Sequence, residues 1–124
     1  MAKMNELAKF GVVYLATPYT KYPRGLEMAF IDACRIAAKM VQAGIKVYSP
    51  IAHTHPIACH GGISKTDHSL WLPFDFALMR KADALCVAKM DGWDQSFGVA
   101  EEIQMFKADH KPIFFLDPET MTIG

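Results

Sequence analysis

The stretch Gly92–Phe106 (GWDQSFGVAEEIQMF) passes from a polar loop with two glycines into a helix at a pair of glutamates, Glu101 and Glu102. A carboxylate just inside a helix that follows a strand faces the mouth of an open parallel sheet, where ligands bind. An isolated glutamate in such a place is explained simply by the helix dipole, which favours an anion near the N-terminus. Two other groups argue for more. Tyr14 stands near the C-terminal end of the apolar run 11–16, and Asp75 sits between phenylalanines in WLPFDF. A carboxylate on such an apolar face is costly unless it is hydrogen-bonded or used. Glu102, Asp75 and Tyr14 converging from three elements suit displacement through a carboxylate, one group attacking while the others orient it and handle protons. Glu101 points about 100° away around the helix and is the natural control. Asp94 can meet a ligand hydroxyl, though turn formation explains it almost as well, and Asp83 suits the capping of loop amides.

Other chemistries fit less well. His53-x-His55, His60 and His68 are enough imidazoles for zinc, yet H-E-x-x-H is missing and spacing fixes no third ligand. No metal or other cofactor is therefore expected, and a metal-dependent hydrolase built on this histidine-rich stretch is a minor alternative. Cys59 and His60 are adjacent in sequence, which does not make a working dyad, and no G-x-S-x-G elbow is present. The first strand runs into ATPYT rather than G-x-G-x-x-G, and G-x-x-x-x-G-K-[ST] is absent, which argues against a dinucleotide or an ATPase loop.

The elements that must position these groups are legible from periodicity. Gly11–Ala16 is a continuous apolar run stopped at Thr17-Pro18, as expected of a parallel strand covered on both faces. Leu26, Ala29, Phe30, Ala33, Ile36, Ala37, Met40 and Val41 recur at helical spacing, and Gly44 stands where a C-cap is favoured. Ile45–Tyr48 reads as a second strand. Residues 50–66 fit neither a helix nor a clean strand, and a stretch so long without structure is more often functional than idle. Asp67 or Ser69 caps the next helix, Ala84–Ala88 is a third strand, Ser96 or Gly98 starts another helix, and Ile113–Leu116 is a fourth strand. Residues 1–10 form at most a lead-in turn and 117–124 a short tail. The expectation is one α/β domain over residues 1–124, a flavodoxin/Rossmann-like three-layer sandwich. Its parallel sheet has four, at most five, strands in the order 2-1-3-4.

Composition bounds the partners. The 124 residues match one domain, and 52% hydrophobic content is ample for a core. Thirteen basic residues balance thirteen acidic ones, leaving no footprint for a nucleic acid polymer. No apolar run reaches the roughly 20 residues of a membrane helix, and the N-terminus is too polar for a signal peptide. Cys34, Cys59 and Cys86 are an odd number without C-x-x-C spacing, Cys34 and Cys86 reading as core residues, which points to the cytoplasm.

Tyr14-Leu15-Ala16, Asp75, Asp83 and Ser96-x-Gly98-x-x-x-Glu102, in this order over residues 12–116, resemble the nucleoside 2-deoxyribosyltransferase superfamily, including its nucleoside 5′-monophosphate N-glycosidase branch. The likeness is greatest to short bacterial and phage members. The resemblance implies cleavage or transfer at the N-glycosidic bond of a nucleoside or nucleotide. Glu102 would be the nucleophile, Tyr14 would position it, and Asp75 would contact the sugar or pass a proton to the base. It further implies a Ser96 contact to a 5′-phosphate, for which the helix-start amides near Gly98 are physically suited. The loop TPYTKYPRG differs from the family's glycine- and serine-rich phosphate loop, leaving Thr17, Thr20 and Arg24 as replacement donors. The family's habit implies a homodimer or larger homo-oligomer in which a neighbour completes the pocket. The alternative is a non-catalytic nucleotide-binding module.

Overall fold

A computed structural model describes residues 2–124. In chain order its elements are β1 (Ala2–Lys3), a 3-10 turn (Met4–Lys9), β2 (Val13–Ala16), α1 (Leu26–Gln42), β3 (Val47–Tyr48), α2 (Pro50–Gly61) and α3 (His68–Lys81). There follow β4 (Ala84–Ala88), a 3-10 turn (Trp93–Gln95), α4 (Phe97–Ala108), β5 (Ile113–Asp117) and β6 (Thr122–Ile123).

The four strands legible in the sequence pair in parallel as β3-β2-β4-β5, the expected order. The sheet itself is mixed and six-stranded, because β6 pairs antiparallel with β5 and β1 antiparallel with β6. The expectation of a purely parallel sheet of four or five strands is thus corrected. Two-residue strands have no period to detect, and their pairing depends on the chain's two ends meeting in space. Leu7 of the first 3-10 turn is buried in the core, so residues 2–10 contribute more than a lead-in, Met1 lying outside the described residues.

β2 and β4 are buried along their whole length, which explains why both read as unbroken apolar runs. Their side chains alternate between two cores. Val13, Leu15, Ala84, Cys86 and Ala88 meet Ile36 and Met40 of α1. Tyr14, Ala16, Leu85 and Val87 meet Met79 of α3 and Val99 and Phe106 of α4. Since strand residues alternate faces, α1 lies on one side of the sheet and α3 and α4 on the other.

Residues 50–61 are helical rather than irregular, a second correction. Ser49 accepts the Ala52 N–H, Pro50 occupies the first turn, where its missing N–H costs nothing, and Gly62 ends the helix at φ 68°. The helix was hidden because its buried residues are Pro50, His55 and Ala58, so a histidine stands where an apolar residue would mark the face. Pro56, inside the helix, further masks the signal.

Candidate functional site

A cavity of about 80 Å³ opens at the C-terminal ends of the parallel strands. Thr17, Tyr19 and Thr20 reach it from the loop after β2, Pro50, Ile51 and Thr54 from the start of α2, and Asp75 from α3. Ser96, Gly98 and Glu102 reach it from the start of α4. The chain leaves β2 through α1 towards β3 on one side, whereas β4 and β5 lie on the other. The cavity therefore sits at the switch point, where adjacent connections diverge and leave a crevice.

Glu102 is 7% exposed, and its carboxyl is held well above the ordinary glutamate range. Burial is the main cause and the nearby Asp75 charge adds to it, while the Tyr14 hydroxyl acts in the opposite sense. Tyr14 is fully buried beneath the carboxyl, with its ring against Tyr48 and Phe106 at centroid separations of 5.6 and 5.8 Å. Its hydroxyl is near enough to influence Glu102, yet no direct hydrogen bond of ordinary length joins them. Burial, then the Glu102 and Asp75 charges, hold the Tyr14 phenol protonated far above its usual range. Burial also lifts Asp75 to about 6. Tyr48 is pushed up to about 12 by burial and by the same two carboxyls.

Among the described residues, four buried side-chain polar atoms lack a hydrogen-bond partner: the hydroxyls of Tyr14, Thr17 and Tyr48, and Asp75 Oδ1. Thr17 and Asp75 line this cavity, whereas Tyr14 and Tyr48 line a neighbouring groove, near enough for the Glu102 and Asp75 charges to act on both phenols. Leaving such a group unsatisfied costs on the order of 1–3 kcal/mol, so the two on the cavity wall are what a bound polar ligand or water would relieve. A second, shallow groove of about 640 Å³ runs between α1 and the ends of β4 and β5. It is lined by Asp32, Arg35, Lys39 and Lys89 and contains none of these unpartnered atoms.

Ser96 is buried and caps α4 by accepting the Val99 N–H at 3.3 Å, leaving its own proton free to donate. Gly98 is instructive. Its backbone has no positive φ, and an added Cβ would meet only Ser96 Oγ at 4.0 Å. The fold therefore does not demand glycine there, and the missing side chain leaves space in the cleft.

Residues 11–117 match the family described as Domain of unknown function (DUF1937). The chain belongs to that family. Comparison with curated proteins finds no match.

The structure thus gathers Thr17, Asp75, Ser96, Gly98 and Glu102 around one cavity, with Tyr14 beneath it. Arg24 is not among them: its guanidinium binds Asp32 at 3.1 Å on the outside of α1. Asp94 is exposed in the turn before α4 and does not line the cavity. Asp83 is structural, its Oδ2 accepting the Val12 N–H at 2.9 Å. Sequence reasoning missed Tyr19, Tyr48, Thr54, Lys65, Thr66 and Trp71. Lys65 and Thr66 lie in the 62–67 connection, which bears no periodic signal, and Tyr48 ended a strand without any chemical motif. The histidines do not assemble as a group. His53 stacks on Phe74 at 5.8 Å, His68 lies 4.4 Å from Phe97, and His55 turns inward.

Proposed function

We propose that this protein cleaves the N-glycosidic bond of a nucleoside or nucleoside 5′-monophosphate, or transfers its sugar, with Glu102 as nucleophile. The observation that carries the reading is a pair of carboxyls on one cavity, Glu102 buried and Asp75 half-buried, both raised by burial, beside the unpartnered Thr17 hydroxyl. The parallel order β3-β2-β4-β5 with helices on both faces supports a doubly wound, flavodoxin-like arrangement of the kind the nucleoside 2-deoxyribosyltransferase superfamily has.

The electrostatics constrain the mechanism. Burial raises both carboxyls, which favours a state in which the Glu102–Asp75 pair keeps one proton. Such a pair titrates as a unit. Attack by Glu102 requires that proton to reside on Asp75. The Tyr14 hydroxyl favours this state by donating towards the Glu102 carboxylate. Glu102 then forms a bond to the anomeric carbon as the carbon–nitrogen bond breaks. Its electron pair leaves with the base, which takes the proton from Asp75. Asp75, now ionised, accepts a proton from the incoming water, which displaces Glu102 and releases the sugar. In a transferase a second base takes the place of that water. The Ser96 hydroxyl and the first amides of α4 would hold a 5′-phosphate, and Lys65 on the rim takes the part expected of Arg24.

The cavity of about 80 Å³ is smaller than a ligand cleft of about 300–1,000 Å³, so admitting a whole nucleoside requires its walls to open. Exposed Ile63, Leu70, Phe74 and Phe97 lie in the loop, α3 and α4 that form this cavity, and they support a second copy of the chain packing there.

The test is incubation with a panel of nucleosides and their monophosphates, with free base measured by chromatography. Release of base by the natural protein and its loss in Glu102→Gln are expected. Intact substrates throughout the panel, or undiminished turnover by the variant, would overturn the reading. One observation favours a non-catalytic nucleotide-binding module instead: burial pushes the Glu102 carboxyl towards its protonated form, which is a good hydrogen-bond donor but a poor nucleophile. In that case calorimetry detects binding of nucleotides that emerge unchanged, and Glu102→Gln, which keeps a donor, retains it.

A further inference from the structure

Behind the cavity, a second cluster joins α1 to α2. His55 is 3% exposed and its ring stacks on Phe30 with centroids 4.6 Å apart, which fixes the plane in which its nitrogens can act. Nδ1 meets the hydroxyl of Tyr19, a residue that lines the candidate site. Nε2 meets Glu27 Oε2 at 2.8 Å and Cys59 Sγ at 3.5 Å. One ring nitrogen has one in-plane direction, so a single N–H cannot serve both neighbours well. Instead a carboxylate oxygen, an imidazole nitrogen and a thiol sulfur cluster together, with all three atoms within 4.8 Å of one another.

We propose that Glu27, His55 and Cys59 bind one divalent cation of the zinc type, leaving a fourth position to water. Metal bonds of about 2.0–2.3 Å in a tetrahedron put ligand atoms roughly 3.4–3.6 Å apart. The sulfur–nitrogen spacing of 3.5 Å already has that value. The oxygen must withdraw from 2.8 Å, which Glu27, with a 69% exposed side chain, is free to do. Mixed thiolate, imidazole and carboxylate donors select zinc-like ions over magnesium or calcium. Cys59 binds as thiolate, its proton passing to solvent. Tyr19 occupies the outer position usual for a metal-bound histidine, on the opposite ring nitrogen. The donor set differs from the one that histidine spacing suggested, since only His55 of the five histidines takes part.

The cation would also act on the cavity. In a neutral His55 without metal, Nε2–H donates to Glu27, and Nδ1 accepts the Tyr19 hydroxyl proton. With metal on Nε2, the ring proton moves to Nδ1 and donates to Tyr19, whose own proton is freed to point into the cleft. The metal thereby reverses the Tyr19–His55 hydrogen bond without changing the charge of the ring.

Protein stripped of metal and titrated with Co2+ tests the site without any assumption about the reaction. One equivalent should bind with the visible bands of tetrahedral cobalt and a near-ultraviolet thiolate-to-metal band, and Zn2+ should displace it. Cys59→Ser should abolish the thiolate band, Glu27→Gln should weaken binding, and Tyr19→Phe should weaken it by about tenfold as an outer partner. Cys59 and Glu27 are exposed, so their variants should fold, and circular dichroism confirms this. Addition of Zn2+ should move the protonated nitrogen of His55 from Nε2 to Nδ1 in ring-nitrogen NMR shifts. No thiolate band in the natural protein, or the same band and affinity in Cys59→Ser, would overturn the assignment.

Discussion

Replacing Glu102 by glutamine should change the pH dependence of stability in a definite direction. Glu102 and Asp75 both have folded-state pKa values above their ordinary ones, so the folded chain holds protons that the unfolded chain releases. Stability is then greatest in acid and falls as pH rises. For Asp75 the fall runs from about 3.8 to about 6. Two units are worth up to about 3 kcal/mol, reduced to about 1–2 kcal/mol because the group is partly exposed and screened. Glu102 is buried and its fall continues at higher pH, at about 1.4 kcal/mol per pH unit while it keeps its proton in the folded state alone. Glutamine has no such proton. Since burial is the cause of the Asp75 shift, Glu102→Gln should keep the Asp75 part of the fall, which ends near pH 6, and lose the Glu102 part, which begins near 4.5 and is all that remains above pH 6. Urea unfolding of both proteins at intervals from pH 5 to 8 measures this, and the histidines cancel in the difference. A vertical offset between the curves reports only the amide's own hydrogen bonding. Parallel curves above pH 6 would refute the buried, protonated Glu102 and the pairing built on it.

Tyr14→Phe removes a hydroxyl that has no direct partner, so stability should change by less than about 1 kcal/mol, whereas Glu102, losing the nearby hydroxyl dipole that lowers it, should titrate at higher pH. The acid limb of any pH–rate profile moves up accordingly. Gly98→Ala should leave stability unchanged or raise it by up to about 1 kcal/mol while weakening ligand binding, because the new methyl enters the cleft rather than the core; weaker folding with normal binding would contradict this. Gly92→Ala should destabilise clearly in thermal melts, since φ is +86° and a Cβ would lie 2.6 Å from the Lys21 carbonyl oxygen. If the apolar rim joins two copies, Leu70→Ser with Phe74→Ser should shift the sedimentation coefficient towards that of a monomer. An unchanged coefficient would place any contact elsewhere.

Much of the frame was legible because its signals are local. The runs 11–16 and 84–88 are apolar throughout since both faces of β2 and β4 are covered, and Gly44 ends α1 at φ 83° as a C-terminal glycine should. Ser96 caps α4, and from that cap the helical repeat directs Glu102 inward while Glu101 stays half-exposed. Asp75 stood out chemically, as a carboxylate among aromatics. These features are written in spacings of two to four residues, which survive without knowledge of the rest of the chain.

What only the tertiary structure decided involves partners far apart in sequence or polar residues turned inward. β1 and β6 exist because the two ends of the chain meet beside β5. α2 stayed hidden because its buried face is marked by His55, which is polar until Tyr19, Glu27 and Phe30 surround it. Arg24 was assigned by loop position to the cleft, yet Asp32, two helical turns along α1, takes its charge. By itself the sequence determined the order of the parallel strands and a carboxylate facing their C-terminal ends. The packed structure decided the protonation of that carboxylate and which distant donors meet behind the site, because burial and long-range proximity are properties of the packed chain and not of any segment.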